Sequence, residues 1–139
     1  MNFLIINGPN LNLLGRREPG HYGNKTFEEV LDELRMQYPD HRIDFFQSNV
    51  EGEIIDHLQM AEDSYDGIIL NAGGYTHTSV AIGDAVGAID VPVVEVHISN
   101  VMGREYYRQV SFIAPHAKGV ISGFGTNGYR LALEAFLSI

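Results

Sequence analysis

Two histidines stand where a proton can be moved. His97 follows Glu95 by two positions and closes the apolar run that begins at Val93. Imidazole titrates near neutrality, and a neighbouring carboxylate can hold its tautomer, so the pair suits general acid–base work. A histidine at a strand end equally suits a satisfied core position, and the pair alone leaves both open. His77 lies just past Gly73-Gly74, near an expected helix start, where main-chain N–H groups favour an anionic oxygen. Capping or a local hydrogen bond is the other use. The segment Gly15-Arg16-Arg17-Glu18-Pro19-Gly20-His21-Tyr22-Gly23 has three glycines, a proline and no apolar periodicity. It reads as a loop, bounded at about residues 15–24. Connections this long are uncommon without a function, and a lid is the usual one; a plain surface connection is the alternative.

Other chemistries are poorly served. The chain has no cysteine, which removes disulfides, thiolate nucleophiles and iron–sulfur ligation. No HExxH occurs and no two histidines have zinc-ligand spacing, so no metal is expected. The only lysines, Lys25 and Lys118, lie outside strands that would desolvate them, which argues against imine chemistry. Gly123-Phe124-Gly125-Thr126-Asn127-Gly128 fits GxGxxG. It follows the last strand, with no further strand to carry a ribose-binding acid, and reads as a tight turn into a helix.

The elements that must position these residues alternate between short apolar runs and longer amphipathic segments. Strands are expected at Phe3–Ile6, Ile43–Gln47, Gly67–Leu70, Val93–Val96 and, more weakly, Val120-Ile121. Thr26 to Tyr38 carries Phe27, Val30, Leu31, Leu34 and Tyr38 on one face, with a Thr26/Glu29 capping box and Pro39 as a stop. Ser48 with Glu51 offers a second capping box, for a helix burying Ile54, Ile55, Leu58 and Ala61. A third helix is expected to turn Val80, Ala81, Ala85, Val86 and Ile89 inward, and a fourth runs from Thr126-Asn127 to Leu137. This alternation predicts an α/β fold: a five-stranded parallel sheet with helices on both faces, three layers in all. Right-handed crossovers then place every strand's C-terminal end on one edge, where ligands bind. Asn7–Asn10, Asn71–Gly74, His97–Asn100 and Gly123–Gly125 are the turns expected there, all polar or glycine-rich.

The 139 residues sit near the ~150-residue prior for one domain, so residues 1–139 are read as a single catalytic domain. Nine basic against eighteen acidic residues give a formal net charge of −9, and no basic run exceeds Arg16-Arg17. Nucleic acid and an anionic membrane surface are therefore not expected partners. An anionic substrate must be held by a few local arginines against the global field. No apolar stretch approaches the ~20 residues of a membrane span, and the Phe3–Ile6 run is too short for a signal peptide. A cytoplasmic location is expected.

The ordered polar blocks resemble one family. Asn7-Gly8-Pro9-Asn10-Leu11, Leu14-Gly15-Arg16-Arg17-Glu18-Pro19 and Tyr22-Gly23 are similar to the N-terminal signature of type II 3-dehydroquinate dehydratases. Gln47-Ser48-Asn49, Glu51-Gly52 and Asn71-Ala72-Gly73-Gly74-Tyr75-Thr76-His77-Thr78-Ser79 continue the match. Glu95-Val96-His97-Ile98-Ser99-Asn100, Arg104-Glu105, Arg108 and Gly123-Phe124-Gly125 complete it, so it spans nearly the whole chain.

The resemblance implies a flavodoxin-like fold and the anti-elimination of water from 3-dehydroquinate to 3-dehydroshikimate through an enolate, in the shikimate pathway, without cofactor or metal. It implies Tyr22 as the proton-abstracting base with Arg17 beside it, His97 as general acid supported by Glu95, and Asn10 holding a water that stabilises the enolate. Asn71, His77, Ile98, Ser99 and Arg108 would bind substrate. Asp84 would reach the site from a neighbouring subunit of a trimer, with trimers assembling into a dodecamer. These roles are chemically coherent. Free tyrosine, with a pKa of about 10, is a poor base, and a cation within ~4–6 Å favours its phenolate. The chain departs from the family at Ala72, where proline is expected, at Gly83, where a larger residue is common, and at Met102-Gly103. None removes a reacting group.

Two other classes fit the sheet. A phosphoacceptor receiver requires acids at the end of the first strand, where this chain has Asn7 and Asn10; a flavin module requires a hydroxyl-rich loop, where it has Gly8-Pro9-Asn10-Leu11. A relative acting on another hydroxy-ketone is the third reading, since shared acid–base groups do not fix every ring contact.

Overall fold

In the computed structural model, which describes residues 1–16 and 25–138, the strands are β1 (Asn2–Asn7), β2 (Arg42–Gln47), β3 (Gly67–Asn71), β4 (Val93–His97) and β5 (Gly119–Ser122). Helices α1 (Phe27–Gln37), α2 (Glu51–Met60), α3 (Val80–Ala88) and α4 (Asn127–Leu137) lie between and after them. All paired strands are parallel, in the order β2-β1-β3-β4-β5. This is the flavodoxin-like order, with its switch point between β1 and β3.

Alternation along β1 divides the core. Phe3 and Ile5 pack with α1 and α4 through Leu31, Leu34, Leu133 and Phe136; Leu4 and Ile6 pack with α2 and α3 through Ile54, Leu58, Ile82 and Val86. A sheet buried on both faces tolerates apolar residues at successive positions, which is why β1 and β3 read as continuous runs. The register sets Asn7 beside both Gln47 and Asn71, and His97 beside Ser122. Polar strand ends are thereby aligned along one edge.

The first helix starts as expected: Thr26 Oγ1 accepts the Glu29 N–H at 3.3 Å. The second does not. Val50 occupies its N-cap position with no side-chain bond, while Ser48 accepts the Val50 N–H at 2.9 Å and donates to Glu53 rather than serving a box with Glu51. The hydroxyl closes a turn one step before the helix instead of capping it. The third helix turns Ala85 and Val86 inward as expected, with Ile89 packed against the same core, but its first turn differs. Val80 and Ala81 are exposed, and Ile82, Gly83, Ala85 and Val86 are buried. Ser79 fixes this phase by accepting the Ile82 N–H at 2.9 Å. Ile82, Ala85 and Val86 then form the i, i+3, i+4 stripe.

Gly83 is buried for a steric reason. A Cβ there would lie 2.3 Å from the Phe112 carbonyl oxygen, so the backbone of residues 111–113 rests directly on α3. Gly83→Ala is expected to destabilise the protein by about 1–3 kcal/mol, measured as a lowered denaturation midpoint at unchanged slope. An unchanged midpoint would show that this contact yields freely.

Candidate active site

A cavity of about 140 Å3 opens at the C-terminal edge of the sheet. Three of the four expected turns line it: Pro9 and Asn10 after β1, Asn71, Gly73 and Gly74 at β3, and His97, Ile98 and Ser99 at β4. The fourth stands behind the wall. Gly123 and Gly125, at φ +98° and +62°, donate their N–H groups to the His97 and Ile98 carbonyls at 3.2 and 2.9 Å. A side chain at either position would strain this left-handed backbone, so the glycine-rich segment is a turn that braces the β4 end.

His97, only 5% exposed, directs Nε2 to Glu95 Oε2 at 2.5 Å. This commits one ring nitrogen to the carboxylate, leaving Nδ1 as the other position for proton transfer. Glu95 is 1% exposed, and its Oε1 accepts the Ser111 hydroxyl at 2.9 Å. His77 stacks over His97 with ring centroids 6.0 Å apart and binds the Val110 carbonyl through Nδ1 at 2.7 Å.

Asn71 is oriented from below. Its Oδ1 accepts the Gly73 N–H at 3.2 Å, and its Nδ2 donates to Tyr129 Oη at 3.0 Å. Tyr129 in turn donates to Asn7 Oδ1 at 2.8 Å. Burial pushes the Tyr129 phenol well above its usual range, the two asparagines opposing this, so it remains a hydrogen-bond donor. Asn10 adopts φ +70°, a conformation asparagine tolerates better than most residues. Its N–H is received by Asn49 Oδ1 at 3.0 Å.

Arg104 and Arg108 complete the wall. Arg104 Nη1 donates to Ser99 Oγ at 3.2 Å, and Arg108 Nε donates to Glu105 Oε2 at 2.6 Å. A hydrogen bond from its own backbone, then one from Arg108, holds the Glu105 carboxyl below the usual range, so it stays charged beside both guanidiniums. Among the described residues the cavity lining carries two arginines and two histidines and no carboxylate. A protein of net charge −9 thus presents a locally cationic pocket. No three His, Asp or Glu side chains among the described residues converge as a metal cage would.

Several site residues predicted from sequence therefore meet: Asn10, Asn71, His77, His97, Ile98, Ser99 and Arg108 line one cavity, with Glu95 behind His97. Asp84 does not join them within this chain; it lies on the exposed side of α3. Arg17 and Tyr22, with most of the expected lid, lie outside the described residues. The sequence reading gave no role to Arg104, Ser111 or Tyr129. Arg104 stands within a matched block, and Tyr129 is four positions before Leu133 on the inner face of α4. Ser111 carries no comparable signal.

Residues 1–137 match the family described as Dehydroquinase class II. The chain belongs to this family. The class II dehydroquinase assignment agrees with similarity to a 3-dehydroquinate dehydratase of Clostridium botulinum, 52% identical over 99% of this chain and 95% of that one. A relative from Prochlorococcus marinus is 50% identical over 99% and 97%. The crystal structure of type II dehydroquinase from Butyrivibrio crossotus superposes with a TM-score of 0.95 at 42% identity, covering 99% of this chain and 97% of the other.

The environment of His77 makes a measurable demand of this class II dehydroquinase site. Burial lowers its pKa below the ordinary 6.5; His97 and Arg108 add to the shift, while the Val110 hydrogen bond and Glu95 oppose it. A depressed folded pKa contributes stability above 6.5 that is lost as pH falls through the folded value. Imidazole NMR is expected to give a His77 midpoint below 6.5, and His77→Asn should remove part of the acid destabilisation. A midpoint above 6.5 would contradict the burial.

Proposed function

We propose that this protein dehydrates 3-dehydroquinate to 3-dehydroshikimate by anti-elimination through an enolate, as a step of the shikimate pathway that leads to aromatic amino acids. The observation that carries this reading is one cavity whose lining, among the described residues, brings a carboxylate-backed histidine together with two arginines. Such a pocket suits an anionic polyhydroxylated substrate that must lose a hydroxyl. Membership of the family supplies the reaction.

In this reading the lid brings Tyr22 and Arg17 over the substrate. The guanidinium favours the phenolate, which removes the proton α to the ketone. Charge then grows on the ketone oxygen, where a water held by Asn10 stabilises it. His97, oriented by Glu95, protonates the departing hydroxyl. Ser99 and the Ile98 and Ser99 amides receive the substrate carboxylate, and Asn71, His77 and Arg108 take ring oxygens. Lid closure excludes water and strengthens each of these interactions. No cofactor is required.

Assembly belongs to the same proposal. Asp84 and Val80 are exposed on α3, available to enter a neighbour's site in a trimer, with trimers forming a dodecamer. Among the described residues no helix is long and apolar enough to cross a membrane, and a cytoplasmic setting accords with the absence of cysteine.

The purified protein mixed with 3-dehydroquinate and EDTA should develop the ultraviolet absorbance of a conjugated enone, and borohydride pretreatment with substrate should not abolish it. Tyr22→Phe and His97→Asn should each lower kcat by about 10²–10⁴-fold while the variants remain folded. Absence of the enone from a folded, assembled protein would move the reading to another hydroxy-ketone. Full activity in Tyr22→Phe would remove that residue from the mechanism. Sedimentation as a monomer at working concentration would refute the shared Asp84.

A further inference from the structure

The buried Glu95 carboxylate is held by two donors, and only one of them, His97, lines the cavity. Ser111 is the other. Its Oγ accepts the Ile113 N–H at 3.1 Å and the Ala114 N–H at 2.9 Å. A hydroxyl has two acceptor lone pairs and one hydrogen. Both lone pairs are committed to the backbone, so the hydrogen is directed to Glu95 Oε1, 2.9 Å away. Glu95 Oε2 then faces His97.

Ser111 is itself fixed on two sides. The Phe112 N–H donates to the Thr76 carbonyl at 3.0 Å, in the turn that carries His77. The Phe112 carbonyl packs on Gly83 without room for a side chain. From these contacts we infer that Ser111 is a positioning residue for the proton-transfer pair, setting the orientation and proton affinity of Glu95 and through it of His97. As a catalytic statement this rests on the proposed dehydration. The charged and titratable groups that face the pair are His77, stacked on His97, and Arg104 and Arg108 across the cavity. Asp84, on α3, lies outside the cavity wall. None of these supplies Glu95 with the hydrogen that Ser111 provides.

Ser111→Ala, Ser111→Cys and Ser111→Thr test this in the full chain. Losing a hydrogen bond to a buried charged group is expected to lower kcat about ten-fold in Ser111→Ala, with KM within about two-fold. Ser111→Thr, which keeps the hydroxyl, should restore most of it. Ser111→Cys, a weak donor of similar size, should fall between them and keeps the test decisive if the alanine variant fails to fold. Histidine-labelled NMR provides a readout independent of turnover. Without the donated hydrogen the carboxylate becomes more basic, so the His97 protonation midpoint should move to higher pH in the alanine and cysteine variants and return in the threonine variant. A His97 titration identical in wild type and the alanine or cysteine variant overturns the inference, as does a loss of kcat that threonine fails to rescue. If wild type forms no enone but the midpoint moves as expected, the proposed function falls and the positioning role of Ser111 stands.

Discussion

Burying a carboxylate in the middle of a parallel sheet is costly unless each of its oxygens finds a donor. Glu95 sits on β4 with almost no exposure, and meeting its requirement organises much of the surrounding structure. His97 satisfies one oxygen and Ser111 the other. Ser111 reaches it because the backbone after Val110 folds tightly onto α3, where Gly83 admits a carbonyl at a distance no other residue would allow. The same segment receives His77 through the Val110 carbonyl. One buried charge thereby ties together a strand, a helix, a loop and both cavity histidines.

The cavity reconciles two opposed electrostatic demands. The chain as a whole repels anions, yet the site described here presents cations toward the ligand. Glu105 makes this workable. It faces Arg108 at hydrogen-bond distance and Arg104 at 3.8 Å without joining the lining itself. It eases the repulsion between two nearby guanidiniums while leaving the inner surface positive. The two guanidiniums are largely covered while Glu105 is open to solvent, so salt weakens this pairing.

Much of this was legible in the residues. Strand positions followed from apolar runs bounded by turn signals, and α1 from an apolar stripe whose N-cap Thr26 accepts the Glu29 N–H as its spacing implied. The polar strand ends followed from parallel topology alone. Where the reading missed, a tertiary contact overrode a local pattern. Ser48 had the right partner spacing for a cap, but its hydroxyl was drawn to Glu53. Val80 and Ala81 looked inward by composition, yet Ser79 and the approach of Phe112 bring Ile82 and Gly83 to the core in their place. Ser111 was invisible because a serine in a loop carries no periodicity, and its importance comes only from what lies across the fold from it. Gly83, legible only as a departure from the family, is a close approach.

The asparagines at the ends of β1 and β3 are joined through a tyrosine on the last helix, 122 and 58 positions farther along the chain. Synthesis from the N-terminus therefore completes the two neighbouring strands long before the residue that orients their terminal amides has been made. Until α4 docks, Asn71 has its local bond from the Gly73 N–H, and neither asparagine has its bond to the tyrosine. The floor of the pocket is thus finished only after α4 has been made, when every strand of the sheet already exists.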